Sequence, residues 1–111
     1  MNYFPYILLG LFFFCIVSCF GQVSVVHYNS EWNAENSLNL EFLKDCEKSN
    51  IIICHNPEEQ EKHQIKSVPT IIIFDNNIEV FRFEANIMMQ IEATFNEIQE
   101  KIDNVYLAKF E

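Results

Sequence analysis

Basic side chains are scarce in this sequence. Seven Lys and Arg stand against 16 Asp and Glu, for a formal net charge of −9 over 111 residues. Binding to phosphate rests on clustered Lys and Arg, and with no such cluster present, the acidic balance disfavours nucleic acid and anionic lipid surfaces as partners. Internal repeats and low-complexity linkers are also missing. The first 30 residues contain no Asp, Glu, Lys or Arg, so every charged side chain lies from Glu31 onward. A chain of this length has room for one domain, and the charge boundary divides it into an apolar opening and an acidic body.

The opening, residues 1–21, contains the apolar run from Ile7 to Val17 followed by Ser18 and Gly21. An apolar stretch of about 7 to 15 residues ending in small residues fits the hydrophobic region of an export signal. Ile16-Val17-Ser18-Cys19 also resembles a bacterial lipoprotein cleavage box, which makes Cys19 a lipidation candidate. A retained anchor is the alternative. A spanning helix needs about 18 apolar residues, and Tyr3 to Phe20 is borderline, with Pro5 near its start. The signal and anchor readings both place residues 22–111 outside the cytoplasm, in a periplasm or envelope, with membrane attachment through Cys19 or the apolar segment.

In the body, Val23-Ser24-Val25-Val26-His27-Tyr28 is β-branched and apolar enough for a buried strand. Leu38, Phe42 and Cys46, four apart, predict a long helix that opens at Asn33 or Ala34 with Asn33 as its N-cap. Ile51-Ile52-Ile53-Cys54 predicts a second strand, parallel to the first through that crossover. Asn56-Pro57-Glu58-Glu59 predicts a short surface helix, to about Gln64, with Asn56 as cap and Pro at its first position. Thr70 to Phe74 and Ile78 to Phe83 predict two strands joined by a tight hairpin at Asp75-Asn76-Asn77. Ile87, Ile91, Phe95, Ile98, Ile102 and Val105, three or four apart, predict a final helix capped by Asn86.

This order of elements, with Trp32 at the first strand-to-helix turn and Val68-Pro69-Thr70 before the third strand, resembles the thioredoxin family over about residues 23–105. The resemblance implies an α/β fold with a four-stranded mixed sheet in spatial order second, first, third, fourth, and helices packed on its faces. It would be a trimmed version, lacking the family's first strand and helix. Where the family carries W-C-x-x-C, this chain reads Trp32-Asn33-Ala34-Glu35-Asn36. Disulfide exchange needs a thiolate to form the mixed disulfide, and an asparagine amide supplies none. The implied reading is an exported, redox-inactive, non-catalytic binding domain.

By the same resemblance Val68-Pro69 is a cis-proline turn facing the lost thiols, and its backbone pairs with an extended peptide. Trp32, Asn33, Asn36, Val68 and Pro69 are thus the candidate binding residues, for a protein or peptide partner. His27 stands where many family members carry a buried carboxylate, and is expected to be a hydrogen-bonded core residue. Cys54 and His55, adjacent on a strand, would point to opposite faces, which argues against a metal site formed with His63. Neither metal nor cofactor is implied. Two rival readings remain: a thiol oxidoreductase using Cys46 and Cys54, which are read as buried at a helix end and in mid-strand, and a structural subunit of an envelope assembly.

Overall fold

The computed structural model describes residues 22–109. The export signal, the retained-anchor alternative and the Cys19 lipidation site lie outside the described residues. Among the described residues no helix is long and apolar enough to cross a membrane.

Four strands form one mixed sheet: β1 (Val23–Asn29), β2 (Glu47–Ile52), β3 (Thr70–Asp75) and β4 (Ile78–Glu84). Their spatial order is β2-β1-β3-β4, as the resemblance implies. β2 runs parallel to β1, whereas β3 is antiparallel to both β1 and β4. The β3–β4 hairpin turns on Asn76 and Asn77, both at positive φ (54° and 67°). A two-residue loop of this hand matches the twist of its strands, and Asn is among the few residues that tolerate the angles.

Alternation along the central strands builds two cores. Val23, Val25, Ile71 and Ile73 face one side, where they meet Leu40, Leu43, Ile98 and Ile102. Tyr28, Ile72 and Phe74 face the other, against Ile53, Ile65 and Val68. Burial of each large aliphatic side chain stabilises the fold by about 1.5–3 kcal/mol relative to leaving it exposed. Two α-helices complete the fold: α1 (Pro57–Lys62) and α2 (Phe95–Lys109). Ile98 and Ile102 of α2 share the face covered by the segment after β1, while α1 lies on the opposite side of the sheet.

The long first helix is absent. In its place stand two 3-10 segments, Glu31–Asn36 and Leu40–Phe42, separated and followed by extended backbone at Ser37 and Leu43. Asn33, Asn36, Ser37 and Asn39 crowd this stretch, and such short polar side chains compete with the helix for backbone partners. Asn39 does so visibly, accepting from the Glu41 N–H at 3.0 Å. Leu40 and Leu43, three apart, are the buried pair, matching the three-residue turn of a 3-10 segment. Phe42, expected on the buried stripe, is 70% exposed.

The second strand is displaced toward the N-terminus. Its first four residues, Glu47-Lys48-Ser49-Asn50, are exposed, because an edge strand keeps its ladder without an apolar face. Beyond Ile52 there is no further β1 partner, and Ile53–His55 coils into a 3-10 turn. Asn56 does sit at the N-cap of α1, but its side chain donates to the Ile52 carbonyl instead of capping the helix.

The last helix also begins later than the periodicity predicts. Asn86 Oδ1 accepts from the backbone N–H of both Met88 and Gln90, which closes a loop and removes Ile87 and Ile91 from any helical face. The helix starts instead after Thr94, whose hydroxyl accepts from the Glu97 N–H at 3.2 Å. Thr94-x-x-Glu97 is a capping-box spacing, an available sequence signal for this boundary.

Candidate functional site

The carboxyl end of β1, the turn before β3 and the 85–94 loop converge on one amide side chain. Asn33, 5% exposed, sits inside the first 3-10 segment at φ −113°, ψ 20°. It is not the N-cap; that position belongs to Ser30. Its Nδ2 lies 3.2 Å from each of three acceptors: the Val68 carbonyl, the Met89 carbonyl and Asn29 Oδ1. Asn29, also buried, donates to the Asn33 carbonyl at 3.0 Å and to Ser37 Oγ at 2.8 Å. Asn36 donates to Asn33 Oδ1 at 2.8 Å and accepts from Gln90 Nε2 at 3.3 Å.

Asn33, Asn36 and Val68 are therefore brought together as the sequence reading requires, and the Val68–Pro69 bond is cis. Met89 and Gln90 join them from more than fifty residues away in the chain, and Asn29 and Ser37 join from the flanks of the 3-10 segment, through side-chain contacts that no residue pattern announces. Unsatisfied buried amides are costly, so a network this well paired ties its three segments into one unit.

Trp32, adjacent to Asn33, points outward and is 67% exposed. With Val68, Ile53, Ile65, Ile87 and Met89 it lines an open cavity of about 520 Å³. Ile87 is 94% exposed, held there by the Asn86 turn. The cavity lies beside the amide network and shares Val68 and Met89 with it.

The overall fold is similar to that of solved structures. Thioredoxin-2, described as a component of the malaria parasite protein secretion machinery, aligns with a TM-score of 0.62 at 20% identity, over 76% of this chain and 84% of its own. Thioredoxin 1 of Thermosipho africanus aligns with a TM-score of 0.56 at 18% identity, over 79% of this chain and 99% of its own. Fasciola hepatica thioredoxin aligns at 0.56 and 19% identity, over 81% and 86%.

The fold is thioredoxin-like.

No protein-family model matches the chain, and no curated protein matches it in sequence. Asn33 meets the cis-proline turn directly, through its contact with the Val68 carbonyl, and Asn36 reaches that turn only through Asn33. The long helix expected to open at Asn33 or Ala34 is replaced here by the 3-10 segment Glu31–Asn36.

His27, two residues before Asn29 on β1, is buried, and its Nε2 accepts the Leu38 N–H at 3.2 Å. Burial holds its pKa below 6.5, against a smaller opposing effect from a hydrogen bond with Asn50. It is the core histidine expected. His63 does not belong to the group of metal-capable side chains around Cys54 among the described residues; its ring packs against Tyr28 and Phe74, at 5.9 and 5.2 Å between centroids. Burial, with the nearby Glu59 charge, pushes the Tyr28 hydroxyl up to about 12, so it stays neutral.

The two body cysteines do not form a pair. Both are free thiols. Cys46 precedes β2 and Cys54 follows it. At a rise of about 3.3 Å per residue the strand separates them by about 20 Å, far beyond disulfide reach. Cys46 is half-buried against the first core, and burial raises its pKa. Cys54, expected in mid-strand and buried, is exposed in the 3-10 turn, because β2 ends before it.

Proposed function

We propose that the body of this chain is an exported, redox-inactive thioredoxin-like domain that binds a protein or extended peptide without transforming it. The observation that carries this reading is the pairing of Asn33 with Val68 and Met89 beside an open apolar cavity. The thiol register holds amides engaged in structure, and an amide neither ionises near neutral pH nor forms a mixed disulfide. The exposed Trp32, Ile87 and Met89 at the cavity are the type of aromatic and flexible apolar side chain that anchors partners. The Val68 carbonyl already accepts from Asn33, so side-chain anchoring in the cavity outweighs backbone pairing at the cis-proline turn. Export rests on the apolar opening and the absence of charge before Glu31. The similar malarial thioredoxin-2 is described as part of a protein secretion machinery, which accords with a protein partner. The separation of Cys46 and Cys54 disfavours the rival oxidoreductase.

Selection of a random peptide library on the immobilised protein tests the reading, with affinities then measured through the fluorescence of Trp32, the chain's single tryptophan. The selected peptides should be apolar. Ile87→Ser and Met89→Ser should weaken them at least about 10-fold, equivalent to about 1.4 kcal/mol each. Trp32→Ala, followed by calorimetry, should do the same. Unchanged affinity in all three variants, or turnover of a disulfide substrate by the wild-type chain, would overturn the proposal.

A further inference from the structure

Two features of the sheet bring together three side chains that the sequence keeps apart. β1 and β2 are parallel neighbours in register, with Asn29 opposite Ile52. Each strand then turns into a 3-10 segment at its carboxyl end. Glu31 lies two residues beyond Asn29 and Cys54 two residues beyond Ile52, so both emerge at the same end of the sheet. His55 follows within the same turn. On a strand, Cys54 and His55 would face opposite ways; on the 3-10 turn they do not, and the sequence argument against shared ligation fails there.

The donor atoms of Glu31, Cys54 and His55 all lie within 4.8 Å of one another. His55 Nε2 is 2.5 Å from Glu31 Oε1. All three side chains are exposed. The carboxyl ends of parallel strands are where open α/β sheets place ligands, and Cys54 also lines the cavity beside Trp32.

We propose that Glu31, Cys54 and His55 form a binding site for a borderline-soft divalent transition metal of the zinc class. A thiolate, an imidazole and a carboxylate are the three side-chain types that zinc takes, in tetrahedral geometry with bonds of about 2.0–2.3 Å. Such bonds set donor atoms about 3.3–3.8 Å apart. The observed spacings, from 2.5 Å for one pair to an upper bound of 4.8 Å, bracket that range. Exposed side chains reach it by rotamer change, with no movement of the sheet. Three protein ligands leave the fourth position open to water or to a donor atom from outside the chain, at the mouth of the cavity. The thiolate excludes magnesium and calcium, which take oxygen ligands. The site rests on side chains other than the Trp32, Ile87 and Met89 that carry the binding role proposed above, so the two tests can fail separately.

Cobalt substitution of the full chain provides the test. Co²⁺ should give a near-ultraviolet thiolate-to-cobalt charge-transfer band and quench Trp32, and Zn²⁺ should displace it. Cys54→Ser should abolish the band with the other three cysteines in place. His55→Gln and Glu31→Gln should each weaken Zn²⁺ binding, measured by competition with a chromophoric chelator. The loss for His55→Gln should exceed the about 10–100-fold typical of outer-shell changes. Circular dichroism should show all three variants folded, since the side chains are exposed. Absence of the band in the wild-type chain would overturn the proposal. So would a band that survives Cys54→Ser and disappears with Cys46→Ser.

Discussion

Trp32 and Asn33 are consecutive, and their exposure is the reverse of their polarity. The tryptophan stands 67% exposed while the amide beside it is 5% exposed. The same inversion recurs across the site: Asn29 is fully buried while Ile87 is 94% exposed. A fold governed by stability alone buries the apolar member of such a pair. Burying the amides is tolerable only because each finds partners, and those partners span three separate segments. The inside of this turn has become a fastener, and the outside has kept a surface that contributes nothing to the core.

The sharpest way to break the comparison is Asn33→Ala. It strips a partner from the Val68 and Met89 carbonyls and from Asn29, and should lower the unfolding free energy by about 2–4 kcal/mol in urea titration. A loss below about 0.5 kcal/mol would mean that the network does not hold the segments together. Thr94→Ala removes the cap of α2 and loosens the loop that carries Ile87 and Met89. A loss of about 1 kcal/mol is expected in the same titration.

Acidification sharpens the comparison from the buried side. His27 accepts a backbone hydrogen bond in its neutral form, and its folded pKa lies below 6.5. The unfolded chain therefore binds more protons than the folded one between that lowered value and 6.5. The histidine's contribution to stability is complete above about pH 6.5 and is lost as pH falls through the folded pKa. His27→Gln should flatten this part of the stability profile; an unchanged profile in the variant would assign the pH response elsewhere. The smallest effect belongs to Trp32→Ala, which should change stability by less than about 0.5 kcal/mol. A larger loss would show that the tryptophan packs into the fold after all.

Three of the four strands are legible in the sequence because their signals are local and strong, whereas β2 begins on the exposed Glu47-Lys48-Ser49-Asn50 and shares only Ile51 and Ile52 with the apolar run expected to form it. Runs of β-branched residues mark β1 and β3, and Asp75-Asn76-Asn77 marks the hairpin. The resemblance then supplied their order. The helices were less legible, since apolar spacing of four at Leu38, Phe42 and Cys46 resembles a helical stripe, while Ser37 and Asn39 impose extended backbone and an Asx turn. Ile87 and Ile91 misled in the same way, although Thr94 and Glu97 carried the correct boundary. At the site, the meeting of Asn33 with Val68 followed from the resemblance. Its contacts to Asn29 and Met89, and the grouping of Glu31 with Cys54 and His55, depend on strand register and on a 3-10 turn that no residue pattern announced.

The central claim is that the Asn33 side chain is a buried fastening between β1, the cis-proline turn and the 85–94 loop. Nuclear magnetic resonance of its side-chain amide protons measures this directly. The account predicts slowly exchanging Nδ2 protons with nuclear Overhauser contacts to Val68 and Met89. Rapid exchange with solvent and no contact to either residue would contradict it.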